Sequence, residues 1–179
     1  KRTIGPSIED GFYYDFDFAT VKITEFDLPK IEKKMADILM TWEGFEGRQV
    51  SESESKKLYH DNAYKLELIE EFSKQGKSLT VYKSGKYEDL CRGGHIPNPR
   101  QNLAHFKLLS IAGAYWRGSE KNKMLTRIYG TCWPSKEELS KYLEQLELAK
   151  ERDHRKLGKE LDLFTFADEV GPGLALWTP

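Results

Sequence analysis

Two adjacent glycines separate Cys91 and Arg92 from His95 in the segment Asp89-Leu90-Cys91-Arg92-Gly93-Gly94-His95. Glycine adopts backbone conformations that other residues avoid, so the pair predicts a tight loop and ends any regular element there. Such a loop would bring a thiol, a guanidinium and an imidazole close to the Asp89 carboxylate. The same residues also fit a polar turn with one buried thiol, and spacing alone leaves both interpretations open.

Length and composition limit the class of protein. The 179 residues suffice for one globular domain with an appendage, and a net charge of −1 excludes a global basic field for nucleic acid. Two cysteines form no disulfide framework, which favours a reducing, cytoplasmic setting. No apolar run is long enough to cross a membrane. Because the chain starts at Lys1 without Met and stops at Pro179 soon after an apolar stretch, we expect both ends to be cuts through a longer protein.

Predicted strands that lie before and between segregated helices indicate an α+β fold with a mainly antiparallel sheet packed with helices. Aromatic residues alternate from Phe12 to Phe18, which predicts a strand over 11–18. The hydroxyl of Tyr14 on that strand needs a polar partner if it is buried, so it can face a site. Further strands are predicted over 45–50, 79–82, 87–91, 106–116 and 124–133, with residues 97–99 irregular.

Capping residues predict where the helices begin. Helices are expected after Asp27, Ser51, Asn62 and Ser135. The last is predicted to run as one long linker helix to Leu157, with Gly158 as its stop. Lys65 falls in the first turn of the helix after Asn62, where the helix dipole disfavours a cation. It is therefore either a solvated surface residue or a functional ammonium.

Five blocks of the sequence resemble bacterial threonyl-tRNA synthetases, in the order of that family and across nearly the whole chain. They are Gly5–Asp15, Asp89–His95, Gly113–Gly118, Arg127–Thr131 and Arg152–Gly158. The resemblance implies that 1–134 is the editing domain, lacking its N-terminal part, and 135–160 the linker helix. Residues 161–179, with Gly171-Pro172-Gly173, then resemble the start of the class II catalytic domain.

The resemblance also implies a function. Serine lacks only a methyl group of threonine, which changes binding by about 1–3 kcal/mol, so a synthetic site cannot reject serine well enough. The family solves this by hydrolysing mischarged seryl-tRNA(Thr) in a second site. By resemblance, Lys65 positions the water, His95 handles its proton and Asp89 binds the ammonium or hydroxyl of the substrate. The other matching positions form the substrate pocket: Tyr14, Cys91 and Arg92.

Partners and cofactors follow from the same resemblance. The acceptor end of tRNA(Thr) and the catalytic domain of the same chain are the expected partners, with a homodimer in the full-length protein and no membrane. ATP and zinc are expected only in the missing catalytic core, and no cofactor is expected for editing in this fragment. The fragment by itself is not expected to join threonine to tRNA.

Two departures from the family keep alternatives open. The family carries a His-x-x-x-His pair upstream, which this chain lacks, and usually has Pro where Gly94 stands. Alanyl-tRNA editing proteins bind zinc with such a pair plus a Cys-x-x-x-His element; here only Cys91 and His95 remain, too few for firm binding. The alternatives are a zinc-dependent hydrolase of that kind, or a non-catalytic module that binds the tRNA acceptor end. The second would use a basic patch of Arg117, Lys121, Lys123 and Arg127, for which a solvated hairpin is the simpler interpretation.

Overall fold

A computed structural model describes residues 1–166, 171 and 174–178 of the chain. The chain divides into two compact units, Lys1–Pro134 and Ser135–Pro179. The segment Gly171-Pro172-Gly173, to which the resemblance gives a role in a catalytic core, lies mostly outside the described residues. Within the described part, no helix has both the length and the apolar character that crossing a membrane requires.

Two antiparallel sheets build the first unit, and the predicted α+β class is confirmed. The larger sheet has the order β1-β2-β7-β6, with strands Ser7–Ile8, Gly11–Phe16, Met124–Trp133 and His105–Tyr115. The smaller has the order β3-β4-β5, with strands Glu46–Val50, Leu79–Ser84 and Tyr87–Leu90. In the second unit, β8 (Phe164–Phe166) pairs with β9 (Ala175–Trp177).

Four α-helices belong to the first unit and two to the second in the described part of the chain. The first four are α1 (Leu28–Leu39), α2 (Glu52–Leu58), α3 (Ala63–Lys74) and α4 (Pro99–Asn102). The other two are α5 (Lys136–Glu151) and α6 (His154–Glu160). The single turn α4 begins at Pro99, so the last residue of the 97–99 segment predicted to be irregular is helical.

All four helices begin directly after the predicted residue, and two of these four residues also cap the helix through the side chain. The hydroxyls of Ser51 and Ser135 each accept a hydrogen bond from the amide three residues later. Asp27 precedes α1, but its carboxylate accepts a hydrogen bond from the amide three residues earlier. Asn62 precedes α3, but its side-chain amide donates to the carbonyl of Arg2 at 2.8 Å. At these two positions the side chain makes its hydrogen bond elsewhere, with a residue close in sequence for Asp27 and a distant one for Asn62.

The predicted single linker helix is wrong, because the chain breaks it between α5 and α6. The carbonyl of Asp153 accepts the first hydrogen bonds of α6, from the amides of Lys156 and Leu157. Aspartate is favoured at such a starting position. Gly158 lies inside α6 and does not stop it. A β-carbon at 158 would come within 2.1 Å of the Phe164 ring, so close packing against β8 explains the glycine.

Buried apolar residues fix helix α3 between the two sheets. One core cluster joins α1 to the larger sheet, and another joins α2 and α3 to the smaller sheet. A third cluster, Leu68, Trp116 and Leu125, attaches α3 to the larger sheet as well. The N-terminal turn of α3 is therefore held where both sheets meet, and this turn carries Lys65.

Candidate functional site

A cavity of about 400 Å³ lies between α3, the end of β5 and the start of the chain. Six of the side chains proposed from sequence line its walls: Tyr14, Lys65, Asp89, Cys91, Arg92 and His95. They come from β2, α3, β5 and the loop after β5, so distant parts of the sequence meet there. The four cations proposed for tRNA binding are not among the lining residues.

A buried ion pair forms the floor of this cavity. The Nζ atom of Lys65 lies 2.8 Å from Oδ1 of Asp89, and the two residues are only 4% and 6% exposed. Burial lowers the pKa of Lys65, and the neighbouring carboxylate opposes that effect only in part. Asp89 thus explains how a cation is tolerated in the first turn of a helix, because a full opposite charge outweighs the dipole.

Asp89 uses all of its acceptor capacity inside the protein. Oδ1 accepts from Lys65 and from the Leu90 amide at 2.9 Å. Oδ2 accepts from the hydroxyls of Tyr14 at 2.8 Å and Tyr87 at 3.1 Å. A carboxylate offers about four acceptor sites. The geometry therefore leaves no free lone pair for the ammonium or hydroxyl of a substrate.

Tyr87 is a member of this network that the sequence reasoning missed. Burial raises the pKa of Tyr14, and burial likewise raises the pKa of Tyr87 to about 12, so both hydroxyls stay protonated donors at neutral pH. A signal was present in the sequence, since Tyr87 precedes Asp89 by two residues in β5 and side chains two apart share a strand face. The guanidinium of Arg2 lies 4.8 Å from the centre of the Tyr87 ring.

The glycine pair makes the tight loop predicted for it. Gly93 has φ +93° and Gly94 has φ +79°, both in the left-handed region. A β-carbon at 93 would also lie 2.7 Å from the Tyr82 hydroxyl. Proline fixes φ near −65°, so the proline that the resemblance leads one to expect at position 94 could not follow this path.

His95 stands between two aromatic rings at the cavity wall. Its imidazole stacks on Phe45, with centroids 4.4 Å apart, and meets the edge of Tyr82 at 4.3 Å. Although the residue is exposed on its open side, burial lowers the pKa of the imidazole. Cys91 is half-buried. Arg92 is exposed and has no ion-pair partner in the described residues.

The proposed basic patch is largely neutralised by neighbouring carboxylates. Arg117, Lys123 and Arg127 all form ion pairs within the first unit. Arg127 makes a two-point contact with Asp15, at 2.7 and 2.8 Å. Lys121 is exposed and unpaired among the described residues. Three of the four cations therefore have a compensating carboxylate beside them, although Arg117 and Lys123 remain partly exposed.

A metal site finds little support in the side chains. Among the described residues, no three His, Cys, Asp or Glu side chains are grouped so that they could hold a metal ion. Cys91 and His95 line the same cavity, but protein zinc sites use three or four protein ligands. The side chains that the structure describes therefore do not fit a zinc centre.

Similarity to known proteins covers the whole chain. Residues 79–129 match the threonyl and alanyl tRNA synthetase second additional domain. All 179 residues align with the threonine–tRNA ligase of Thermotoga petrophila at 52% identity, covering 28% of that protein. The threonine–tRNA ligases of Rubrobacter xylanophilus and Flavobacterium psychrophilum are also 52% identical, with 28% and 27% of their lengths covered. The chain thus spans little more than a quarter of these relatives.

Proposed function

We infer that this chain is a segment of a threonine–tRNA ligase, and we propose that residues 1–134 form its editing domain. In this proposal, 135–160 link that domain to the catalytic domain, whose start is 161–179. The reaction is hydrolysis of the ester that joins serine to the terminal adenosine of tRNA(Thr). The observation that carries the proposal is the buried Lys65 ammonium, held by Asp89 in a cavity that His95 also lines.

The chemistry of ester hydrolysis matches what these side chains can provide. The reaction needs an oriented water, a group that takes its proton, and donors for the developing oxyanion. Lys65 spends one of its three N–H donors on Asp89, which leaves two for a water and an ester oxygen. Because Asp89 is saturated, we assign it the positioning of Lys65 in place of substrate binding.

The remaining side chains complete the proposed site. A neutral imidazole can accept the proton of the attacking water and return it to the leaving 2′ or 3′ oxygen, which is the role proposed for His95. Arg92 is proposed to meet the terminal phosphate, because a guanidinium can make two parallel hydrogen bonds to phosphate oxygens. Tyr14 fixes the floor through Asp89. Cys91 serves as pocket wall, since hydrolysis by water requires no acyl-enzyme.

The partners are proposed from the similarity. They are the acceptor end of tRNA(Thr) and the catalytic domain of the same protein, in a homodimer of full-length chains in the cytoplasm. Binding of ATP and zinc belongs to that catalytic domain. Its ligase activity complements the proposed editing, because a synthetic site that admits threonine also admits serine.

Deacylation of charged tRNA tests the proposal. Seryl-, threonyl- and alanyl-tRNA are each mixed with excess protein under single-turnover conditions, with and without a chelator. Excess protein keeps slow hydrolysis measurable, which matters because the chain lacks the expected His-x-x-x-His pair. We expect seryl-tRNA to be hydrolysed fastest, and Lys65→Met or His95→Ala to slow that reaction by about 10²–10⁴-fold.

The other outcomes separate the alternatives. Binding of tRNA without any hydrolysis indicates the non-catalytic module, and Lys121→Ala should then weaken it. Chelator-sensitive hydrolysis of alanyl-tRNA indicates the zinc-dependent enzyme. Hydrolysis of seryl-tRNA that survives both Lys65→Met and His95→Ala would remove the catalytic roles given to these two side chains.

A further inference from the structure

We propose that Phe45 and Tyr82 are positioning residues that clamp the His95 imidazole in the orientation needed for proton transfer. This inference rests on the proposed hydrolysis and adds two residues to it. A catalytic imidazole is usually oriented by a hydrogen bond to one of its nitrogens. In the described part of this chain, neither ring nitrogen of His95 has such a partner. Both nitrogens are left for substrate and water, and the orientation must come from elsewhere.

The two rings restrain His95 from two directions. Phe45 lies parallel to the imidazole, with an interplanar angle of 22°, and Tyr82 stands against it at 69°. Stacked and edge-to-face arrangements are the geometries that aromatic rings prefer. The parallel contact with Phe45 restrains tilting of the imidazole, and the contact with Tyr82 limits its movement within its own plane. The two rings cover part of the imidazole and leave its other side exposed, and burial lowers its pKa.

Two glycines leave space for the Tyr82 side of the clamp. Tyr82 pairs with Gly47 across β3 and β4, and a β-carbon at 47 would lie 2.6 Å from the Tyr82 ring. A β-carbon at 93 would lie 2.7 Å from the Tyr82 hydroxyl. The ring therefore occupies a slot bounded by two residues without side chains. That slot fixes the ring next to His95.

An aromatic clamp can be detected without any catalysis. Protons held over an aromatic face resonate at high field, so the His95 ring protons should lie upfield of those of the other three histidines. The loss of the signal in His95→Gln assigns it. In Phe45→Leu the signal should move toward the positions of the other three, whereas Phe45→Tyr should keep it in place.

The same variants are then compared in single-turnover hydrolysis of seryl-tRNA. We expect Phe45→Leu to reduce the rate of the chemical step by about 10–100-fold with tRNA affinity unchanged, because misplacement by about 1 Å has that effect. Phe45→Tyr should restore the rate. Phe106→Leu serves as the matched control, since this partly buried aromatic lies outside the cavity and should leave rate and signal unchanged.

The outcomes distinguish this inference from the proposed function. If the wild-type chain shows the upfield signal but does not hydrolyse seryl-tRNA, the proposed function is refuted. The positioning role of Phe45 and Tyr82 in catalysis is then refuted as well. Hydrolysis that depends on Lys65 but is unaffected by Phe45→Leu refutes the clamp alone. Absence of the upfield signal from the wild type also refutes it.

Discussion

Replacing Asp89 by Asn tests whether the floor of the cavity is an ion pair that depends on burial. The side-chain amide can keep the same shape, with its oxygen toward Lys65 and its nitrogen toward the tyrosine hydroxyls, which can accept. What disappears is the negative charge beside an ammonium that is 4% exposed. Removing one partner of a buried ion pair typically destabilises a protein by about 3–5 kcal/mol. We expect a loss of that size near pH 6.

The dependence of this loss on pH gives the sharper test. Burial already lowers the pKa of Lys65, and loss of Asp89 should lower it further. Between that folded value and the unfolded value of about 10.4, the unfolded chain binds more protons than the native chain. Stability therefore rises with pH in this window. The deficit of Asp89→Asn relative to wild type should shrink as the pH is raised from 6 to 9.5.

Urea unfolding followed by tryptophan fluorescence measures the effect. Three of the four tryptophans lie in the first unit, so a Trp177→Phe background confines the signal to that unit. Asp15→Asn is the matched control, because Asp15 is also buried but its partner Arg127 is partly exposed. The pKa of Arg127 is raised above its usual value, with the Asp15 hydrogen bonds as the main cause. Asp15→Asn should lose less stability than Asp89→Asn, and its loss should not shrink as the pH rises to 9.5. A loss of stability in Asp89→Asn that is constant with pH, or smaller than that of Asp15→Asn, refutes the reasoning.

Three further changes probe other parts of the chain. Gly94→Pro should abolish seryl-tRNA hydrolysis and the upfield His95 signal, because proline cannot adopt a φ of +79°. Gly94→Ala should lower the free energy of unfolding by only about 1–2 kcal/mol. An active proline variant would contradict this prediction. Gly158→Ala should destabilise the second unit by about 1–3 kcal/mol, because the β-carbon of the alanine would overlap the Phe164 ring. Thermal unfolding followed by Trp177 fluorescence measures the effect. An unchanged unfolding midpoint would show that this close packing is not needed. Burial raises the pKa of Asp17, but hydrogen bonds from Lys123 and two other donors outweigh it and lower the value to about 2. Wild-type stability should therefore fall as the pH drops from about 4 through about 2, and Asp17→Asn should flatten that part of the urea profile.

The role of Asp89 illustrates what a family resemblance can assign and what depends on the tertiary structure. Its place in the motif with Cys91 and His95 made it a candidate for substrate contact. Its four hydrogen-bond donors come from β2, α3 and β5, and no local pattern reports that they converge. The saturated carboxylate supports a positioning role, which only the tertiary structure could indicate.

Local pattern was sufficient where the determinants lie close together in sequence. A period of two predicted the strand that begins at Gly11, and turn residues and apolar runs predicted the other strands. Ser51 and Ser135 begin helices because the capping hydroxyl and the amide that donates to it are three residues apart. The paired glycines at 93 and 94 likewise predicted their own loop, since positive φ is a property of the residue itself. The candidate cavity residues were available from motif resemblance before any coordinates.

Tertiary structure decided whatever depended on partners distant in the chain. The side-chain amide of Asn62 donates to the distant Arg2 carbonyl, and the side chain makes no cap hydrogen bond to α3. Gly158 lies inside α6, where a β-carbon would overlap the Phe164 ring. The sequence suggested that Arg127 is a free cation, but Asp15 lies opposite it on the neighbouring strand and binds its guanidinium. Sequence determines backbone preference because that energy is local, whereas burial and charge compensation depend on which distant side chains the folded chain brings within a few ångströms.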